Sequence, residues 1–492
     1  MPPSNKSSSD LRLVPALVAV GLGTLVYFLP QPEMVSDQGW LMLAIFIGTI
    51  AAIIGKAMSI GAISILAIAL VAASGVTSDN PGAAIKDALS SFSSPLIWLI
   101  AIAVMISRGL INSGLGARIG YYFIALTGRS TLGIGYGLAL SELTLAPVTP
   151  SNTARGGGIM HPIMRSISKG FGSSPAEGTE GKIGKYLALV NYHSNPITSA
   201  MFVTATAPNP LTVQLVADAT GANINLTWTT WALAMLLPGL AAIALMPLVL
   251  YWLYPPEVRK TPDARRFARE KLAELGPVSR DEKLMLAVFL MLLVFWADLP
   301  AWLLGESFKL NATTTAFLGL SMLLVTGVLH WKDILEEKNA WDTLIWFGAL
   351  VMMATQLNKL GVIDWFSHSV QQWITDTGMG WPLASVLIVS IFLYSHYFFA
   401  STTAHITAMM GAFLTVGLSL GIPAMPFVLM MAAASSIMMT LTHYATGTSP
   451  VIFGSGYLTL GEWWRAGFVM SLVNLLVWAV VGIFWWKLLG YW

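Results

Sequence analysis

Stretches such as LAMLLPGLAAIALMPLVLYWL (233–253) and LMLAVFLMLLVFWADLPAWLL (284–304) recur along this chain. A helix needs about 20 mostly apolar residues to cross a hydrocarbon core of about 30 Å. Inside that core each backbone N–H and C=O must find its partner within the protein. Together these conditions imply an all-α polytopic membrane fold. Composition agrees: 55% of the 492 residues are apolar and 10% are charged, where a soluble chain carries roughly 25% charged residues. A membrane β-barrel would show alternating segments of about ten residues instead. A net charge of +2 gives no electrostatic case for a nucleic-acid partner. With no cysteine there is no disulfide, thiol nucleophile or thiolate-held metal.

Apolar runs fall at 11–30, 39–55, 58–75, 95–112, 183–219, 228–254, 284–304, 312–329, 340–360, 423–460 and 466–488, about eleven crossings. Two stretches, 130–169 and 382–418, resist this treatment. Each has an apolar arm, a polar kink at SNT or STT, and a second arm. Two short helices meeting at a tip without crossing would explain both, and such backbone is tolerated only where it lines a cavity or is buried in protein. The polar tail MPPSNKSSSDLR precedes the first run, which is expected to remain as an anchor.

Charge sets the orientation. With the N-terminus cytoplasmic, the cytoplasmic loops hold Lys6, Lys56, Arg118, Arg129, Lys169, Lys182, Lys185, Lys332 and Lys338, besides Arg259, Lys260, Arg265, Arg266, Arg269, Lys271, Arg280 and Lys283 of the central loop 255–283. The other side keeps Lys86, Lys309 and Lys487, which fits the positive-inside rule. The central loop also holds six acids and reads as a solvated linker. It divides the chain into a tail and first span (1–38), a first repeat (39–255), the linker (256–283) and a second repeat (284–492). Five spans separate the two hairpins, so they enter from opposite sides, the arithmetic of an inverted repeat with its site at the midplane. In each half a long segment breaks after the hairpin, at TATAPNP (204–210) and at THYATGTSP (442–450), where Pro208, Pro210 and Pro450 suit unwound backbone.

The tips carry the chemistry. Ser151 and Thr153, and likewise Ser401, Thr402 and Thr403, stand where a second short helix begins. Hydroxyls there cap free amides, and the helix dipole presents its positive end to an anion. Asn152 adds a donor and an acceptor. Two facing tips suggest an elongated anion with a carboxylate at each end. A single Ser or Thr in a membrane helix is more often a packing residue; two matching tips, each followed by a broken helix, favour a site.

The motifs SNTARGGG, STTAH, TAPNP and THYATGTSP…FGSGYLTLGEWWR resemble the divalent-anion:sodium symporter family. Within it the chain looks most like the bacterial exchangers of citrate, tartrate, succinate or 2-oxoglutarate/malate and the related plastid translocators. That resemblance implies a homodimer of scaffold and transport units, an elevator motion, and a di- or tricarboxylate site. The family's Ser-Asn-Thr tips map onto Ser151-Asn152-Thr153 and Ser401-Thr402-Thr403, with Thr402 in the place of asparagine. In sodium-coupled members the tips also cradle two sodium ions, so this departure falls on the second sodium position.

Arg155 and His405 each stand four residues after a tip serine. An intramembrane arginine is a functional candidate by default. Both are read as fixed cations standing where sodium would otherwise sit. An empty carrier would then expose an unpaired charge to a low-dielectric barrier, which predicts obligatory exchange without sodium. The bland alternatives are an Arg155–Glu142 ion pair and a His405 bonded to neighbouring backbone. GIGYG (133–137) reads as a packing face, His161, His193, His396 and His443 as packing or pore-lining, and EWWR (462–465) as an interfacial girdle. Thr206, Pro208, Thr446 and Thr448 join the tips as expected substrate contacts. The expectation is a secondary transporter of a bacterial inner membrane that exchanges C4/C5 dicarboxylates, with no cofactor, no metal cluster and lipid around it. Sodium-coupled symport is the rival of the same class. A channel is separated by trans-stimulation, and an intramembrane enzyme lacks any nucleophile–base pair.

Overall fold

A computed structural model describes residues 11–376 and 380–492, so the tail with Lys6 lies outside the described residues. The described residues fold mainly as helices. Its first half runs α1 (Leu13–Phe28), α2 (Asp37–Ile54), α3 (Ile60–Ser74), α4 (Pro81–Ala88), α5 (Pro95–Ser113), α6 (Leu115–Thr127) and α7 (Thr131–Leu145). After a break come the π-wound turns Thr153–Met160, then α8 (His161–Gly170), α9 (Gly184–Met201), α10 (Pro208–Ala219) and α11 (Trp228–Leu253). The linker forms α12 (Asp263–Glu274).

The second half runs α13 (Arg280–Trp296), α14 (Leu299–Leu304), α15 (Ala312–Thr326), α16 (Trp331–Glu336), α17 (Lys338–Lys359), α18 (Val362–Asp376) and α19 (Trp381–Tyr394). The second tip opens α20 (Thr402–His405), which passes through π turns at Ile406–Met410 into α21 (Gly411–Ser419). Then follow α22 (Ala424–Ile437), α23 (Thr448–Phe453), α24 (Leu460–Val477) and α25 (Ile483–Leu488). Gly114, with φ 79°, turns α5 into α6, and Gly361, with φ 76°, turns α17 into α18. A left-handed residue ends each long helix where only glycine is unstrained.

Among the described residues five helices are long and apolar enough to cross a membrane: Asp37–Ile54, Pro95–Ser113, Trp228–Leu253, Trp381–Phe398 and Leu460–Leu488. Four shorter apolar helices join them, Leu13–Phe28, Ile60–Ser74, Ala312–Thr326 and Ala424–Thr440. Helix α9 is absent from both sets because NYHSNPITS is polar, yet all its residues except Lys185 are buried. It is shielded from lipid by protein on every side, so it needs no apolar face of its own. The exterior is the reverse: Val14, Val325 and Phe398 are 72%, 88% and 82% exposed, an apolar surface of the kind a membrane protein turns to lipid.

Three expectations change. The run 284–304 is split at Asp298, whose left-handed backbone (φ 53°) ends α13. The central loop is docked rather than simply solvated. Helix α12 buries Ala264 and Ala268 against α6, and Thr131 and Thr261 donate backbone N–H groups to Arg259 and Arg129 at 3.1 Å. Trp463 of EWWR is 1% exposed with its ring 4.3 Å from that of Tyr192, a core residue rather than part of a girdle. GIGYG does pack: a Cβ on Gly135 would meet the Tyr186 hydroxyl at 2.4 Å.

Candidate substrate site between the two helix tips

Each tip serine is a helix cap. Ser151 Oγ accepts from the N–H of Ala154 at 3.1 Å, and Ser401 Oγ accepts from that of Ala404 at 3.3 Å. Their carbonyls accept from the amides of Arg155 (3.0 Å) and His405 (3.1 Å). The intervening first-turn amides have no intrahelical backbone acceptor, as at any helix start. Both second arms contain π turns, at Thr153–Met160 in the first and at Ile406–Met410 after α20 in the second, which widen the helix and occur disproportionately at functional sites.

Between the tips lies a cavity of about 210 Å³. Ser151, Asn152 and Thr153 line it from one tip and Ser401, Thr402 and Thr403 from the other. The two chain breaks add Thr206, Ala207 and Pro208 on one side and Thr446 and Gly447 on the other. Among the described residues, no charged side chain lines it. An anion here would be held by hydroxyls, an amide and helix-start N–H groups.

The breaks lie just before the prolines. Residues 202–207 and 441–447 leave the helix, whereas Pro208, Pro210 and Pro450 sit in the first turns of α10 and α23. The missing N–H costs nothing at a helix start, and the fixed φ suits it. The prolines therefore restart the helices instead of lining unwound backbone. The freed carbonyls are satisfied by side chains: Asn209 Nδ2 donates to Ser199 O and Phe202 O at 2.7 and 2.9 Å. Asn152 Nδ2 donates to Thr446 Oγ1 at 2.9 Å, and Thr402 Oγ1 donates to Ala445 O at 3.1 Å, so each tip is fastened to the loop 441–447. Of SNTARGGG, Gly156 is the glycine that close packing demands, since a Cβ would fall 2.9 Å from Asn195 Nδ2.

Three expected site residues do not reach the cavity. Thr448 is fully buried, 3.5 Å from Asn195 Oδ1, because it opens α23 instead of belonging to the loop. Arg155 is also fully buried, and its guanidinium is spent inside the protein. Nε binds Glu142 Oε1 at 2.7 Å, Nη1 donates to Thr149 O (2.6 Å) and Ala205 O (2.8 Å), and Nη2 reaches the hydroxyls of Thr198 (3.4 Å) and Ser199 (3.2 Å). Glu142 cancels its charge, so Arg155 compensates no substrate charge directly. It does lock the first tip to the break at 202–207. His405 is fully buried too. Its ring lies 4.4 Å from Phe399 at 8°, Nδ1 is 2.9 Å from His396 Nδ1, and Nε2 is 3.1 Å from Ser395 Oγ. His396 Nε2, 3.1 Å from Ala445 O, must donate there. Its Nδ1 then accepts from His405, and two neutral rings can carry this chain when His405 Nε2 accepts the Ser395 proton.

Reading the sequence alone missed Asn339 and Thr343, which reach the cavity from α17, and Val104 from α5. The signal was faint: two polar residues four apart, on one helix face, at the mouth of an apolar run. It also missed the polar face of α9, where Asn195 donates to Glu142 Oε1 (2.6 Å) and Asn152 O (3.0 Å).

Known proteins place this architecture. A family model described as the sodium:sulfate symporter transmembrane region matches residues 10–492. YflS of Bacillus subtilis (strain 168), named as a proposed malate transporter, is 48% identical over 484 residues, 98% of each chain. The chloroplastic dicarboxylate transporter 1 of Spinacia oleracea is 44% identical over 97% of this chain and 82% of its own length. Among solved structures, the YdaH transporter of Alcanivorax borkumensis superposes with a TM-score of 0.56 at 13% identity, over 82% of this chain and 86% of that one. At that identity the likeness speaks for the fold alone. The chain is a multi-pass membrane transporter and belongs to the divalent-anion:sodium symporter family.

Proposed function

We propose that this protein exchanges C4/C5 dicarboxylates such as malate, succinate, fumarate and 2-oxoglutarate, one dianion for another, without sodium. The observation that carries the substrate class is the pair of serine-capped helix starts facing one uncharged cavity, which suits an anion with a carboxylate at each end. The names of the Bacillus and spinach relatives, a malate and a dicarboxylate transporter, support it. Ser151, Asn152, Thr153, Ser401, Thr402, Thr403, Thr206 and Thr446 make the contacts, with Pro208 closing one wall.

Independence from sodium at the first tip rests on Arg155. Two carbonyls, two hydroxyls and a carboxylate converge on its guanidinium, an all-oxygen set that a small cation would otherwise need. Exchange follows from the field across the membrane. Moving a dianion alone against 100 mV costs about 4.6 kcal/mol, at about 2.3 kcal/mol per charge, whereas one dianion for another costs nothing. The same reading makes 39–255 and 284–492 oppositely inserted repeats joined by 256–283. They form a scaffold and a moving unit in each half of a homodimer, with the N-terminus on the cytoplasmic side of a bacterial inner membrane.

The experiment is uptake of labelled malate into liposomes, sodium-free, with empty and malate-loaded vesicles compared. Uptake confined to loaded vesicles is the expected result. Uptake into empty vesicles that demands an inward sodium gradient would replace exchange with symport.

A further inference from the structure

We propose that a second cleft, at the far end of the first hairpin's second arm, is an anion site for a carboxylate- or phosphate-bearing group. The cleft has a volume of about 430 Å³ and lies between α8, the loop 172–177 and the residues after α23. His161, Arg165 and Lys169 line it. They stand at every fourth position of α8 and so share one helix face. Helix α12 packs beside them, with Phe267 against Gly170, so the cleft opens on the face that carries the 255–283 linker.

Two observations point to a ligand. The first is charge left unspent. Arg118, Arg155 and Lys185 each hold a glutamate at 2.6 to 2.7 Å, whereas Arg165 and Lys169 form no ion pair among the described residues. Like charges four apart on a helix repel, and the one acid on the cleft's rim, Glu177, bonds to neither. The second is His161, which is 5% exposed and whose Nδ1 is buried with no hydrogen-bond partner. A positive-inside topology accounts for basic residues at an interface, but not for an orphaned ring nitrogen beside them. That nitrogen is closed off from the cleft as the ring stands, so an anion drawn in by Arg165 and Lys169 would supply its missing acceptor by a turn of the His161 ring.

The opposite wall is fixed in place. Tyr457 donates to Ser173 O at 3.2 Å, and Ser173 Oγ donates to Thr179 O and accepts from the N–H of Gly184, both at 2.9 Å. These bonds hold the serine-lined loop open opposite the basic face. Such a cleft binds through charge-assisted hydrogen bonds, strongest with a dianion. A soluble anion and an anionic lipid headgroup both present that chemistry.

The full chain in phosphatidylcholine nanodiscs is titrated with inorganic phosphate, for the wild type and for Arg165→Gln/Lys169→Gln. Both side chains are exposed, so the double variant is expected to fold. Wild-type affinity should fall with added salt. The double variant should bind at least about tenfold more weakly, and Arg165→Lys should retain most of the binding. Identical isotherms for wild type and double variant, or no phosphate binding by the wild type, overturn the proposal. Discs containing phosphatidylglycerol then name the source: phosphate binding lost there supports a lipid headgroup, and binding kept supports a soluble anion. No residue of the central cavity is altered, so this titration can fail while dicarboxylate exchange stands, and the reverse.

Discussion

At the first tip the fourth residue after the capping serine is Arg155; at the second it is His405. Both backbones do the same work, each serine capping its helix and each N–H returning to the serine carbonyl. What stands behind them differs. Arg155 satisfies oxygens from four separate segments through a buried ion pair, whereas His405 sits in a stack of Phe392, Phe399 and His396 and needs no charge. The first tip is anchored by electrostatics, the second by packing and a hydrogen-bond chain that neutral rings can carry. The two tips therefore share their capping geometry without sharing how they are held.

Removing the electrostatic anchor breaks the comparison most sharply. Arg155→Ala leaves Glu142 as an unpaired buried carboxylate and strips donors from Thr149 O and Ala205 O. Breaking a buried pair from one side costs about 3–5 kcal/mol, read as a lower thermal midpoint in detergent. The emptied oxygen set should also admit a small cation. Sodium is expected to raise the variant's midpoint and leave the wild type's unchanged; equal responses would mean that Arg155 does not occupy a cation's place.

A smaller effect distinguishes the tip residues themselves. Asn152 has its amide on Thr446 at 2.9 Å, while Thr402 spends its only hydroxyl proton on Ala445 O. Asn152→Ala removes a donor from both loop and cavity and should raise the half-saturating malate concentration roughly tenfold, the worth of about 1.4 kcal/mol. Thr402→Ala should raise it less, because its proton already points at the loop. Equal losses would show that the two tips contribute alike.

How much of this could be read in the sequence divides along physical lines. Apolar runs and the kinks at SNT and STT follow from local composition, so the spans and both tips were legible. So were the paired breaks, though their exact edges were not, because proline at a helix start and proline in a loop look alike in one dimension. The partner of Arg155 was open for a different reason. Glu142 lies on the preceding arm, but Thr198, Ser199 and Ala205 belong to elements that only the packed fold brings near. Helix α9 shows the same limit. It lies within the run 183–219 that reads as a span, but its polar stretch NYHSNPITS gives no sign in one dimension that protein buries it on every side.

The second anchor offers the mildest test and the most discriminating. His405→Phe keeps an aromatic ring between Phe392 and Phe399 and deletes both ring nitrogens. If His405 works as a neutral packed ring, the loss is its bonds to His396 and Ser395, partly offset by the added apolar surface. That comes to about 1 kcal/mol of stability, seen as a small drop in thermal midpoint. Exchange should persist at a reduced rate and sodium should change nothing. If His405 instead carried a positive charge that substrate binding needs, the phenylalanine variant would abolish malate exchange while folding normally. Stability and transport then separate, because the packing account lowers both together and slightly, and the charge account removes only the second.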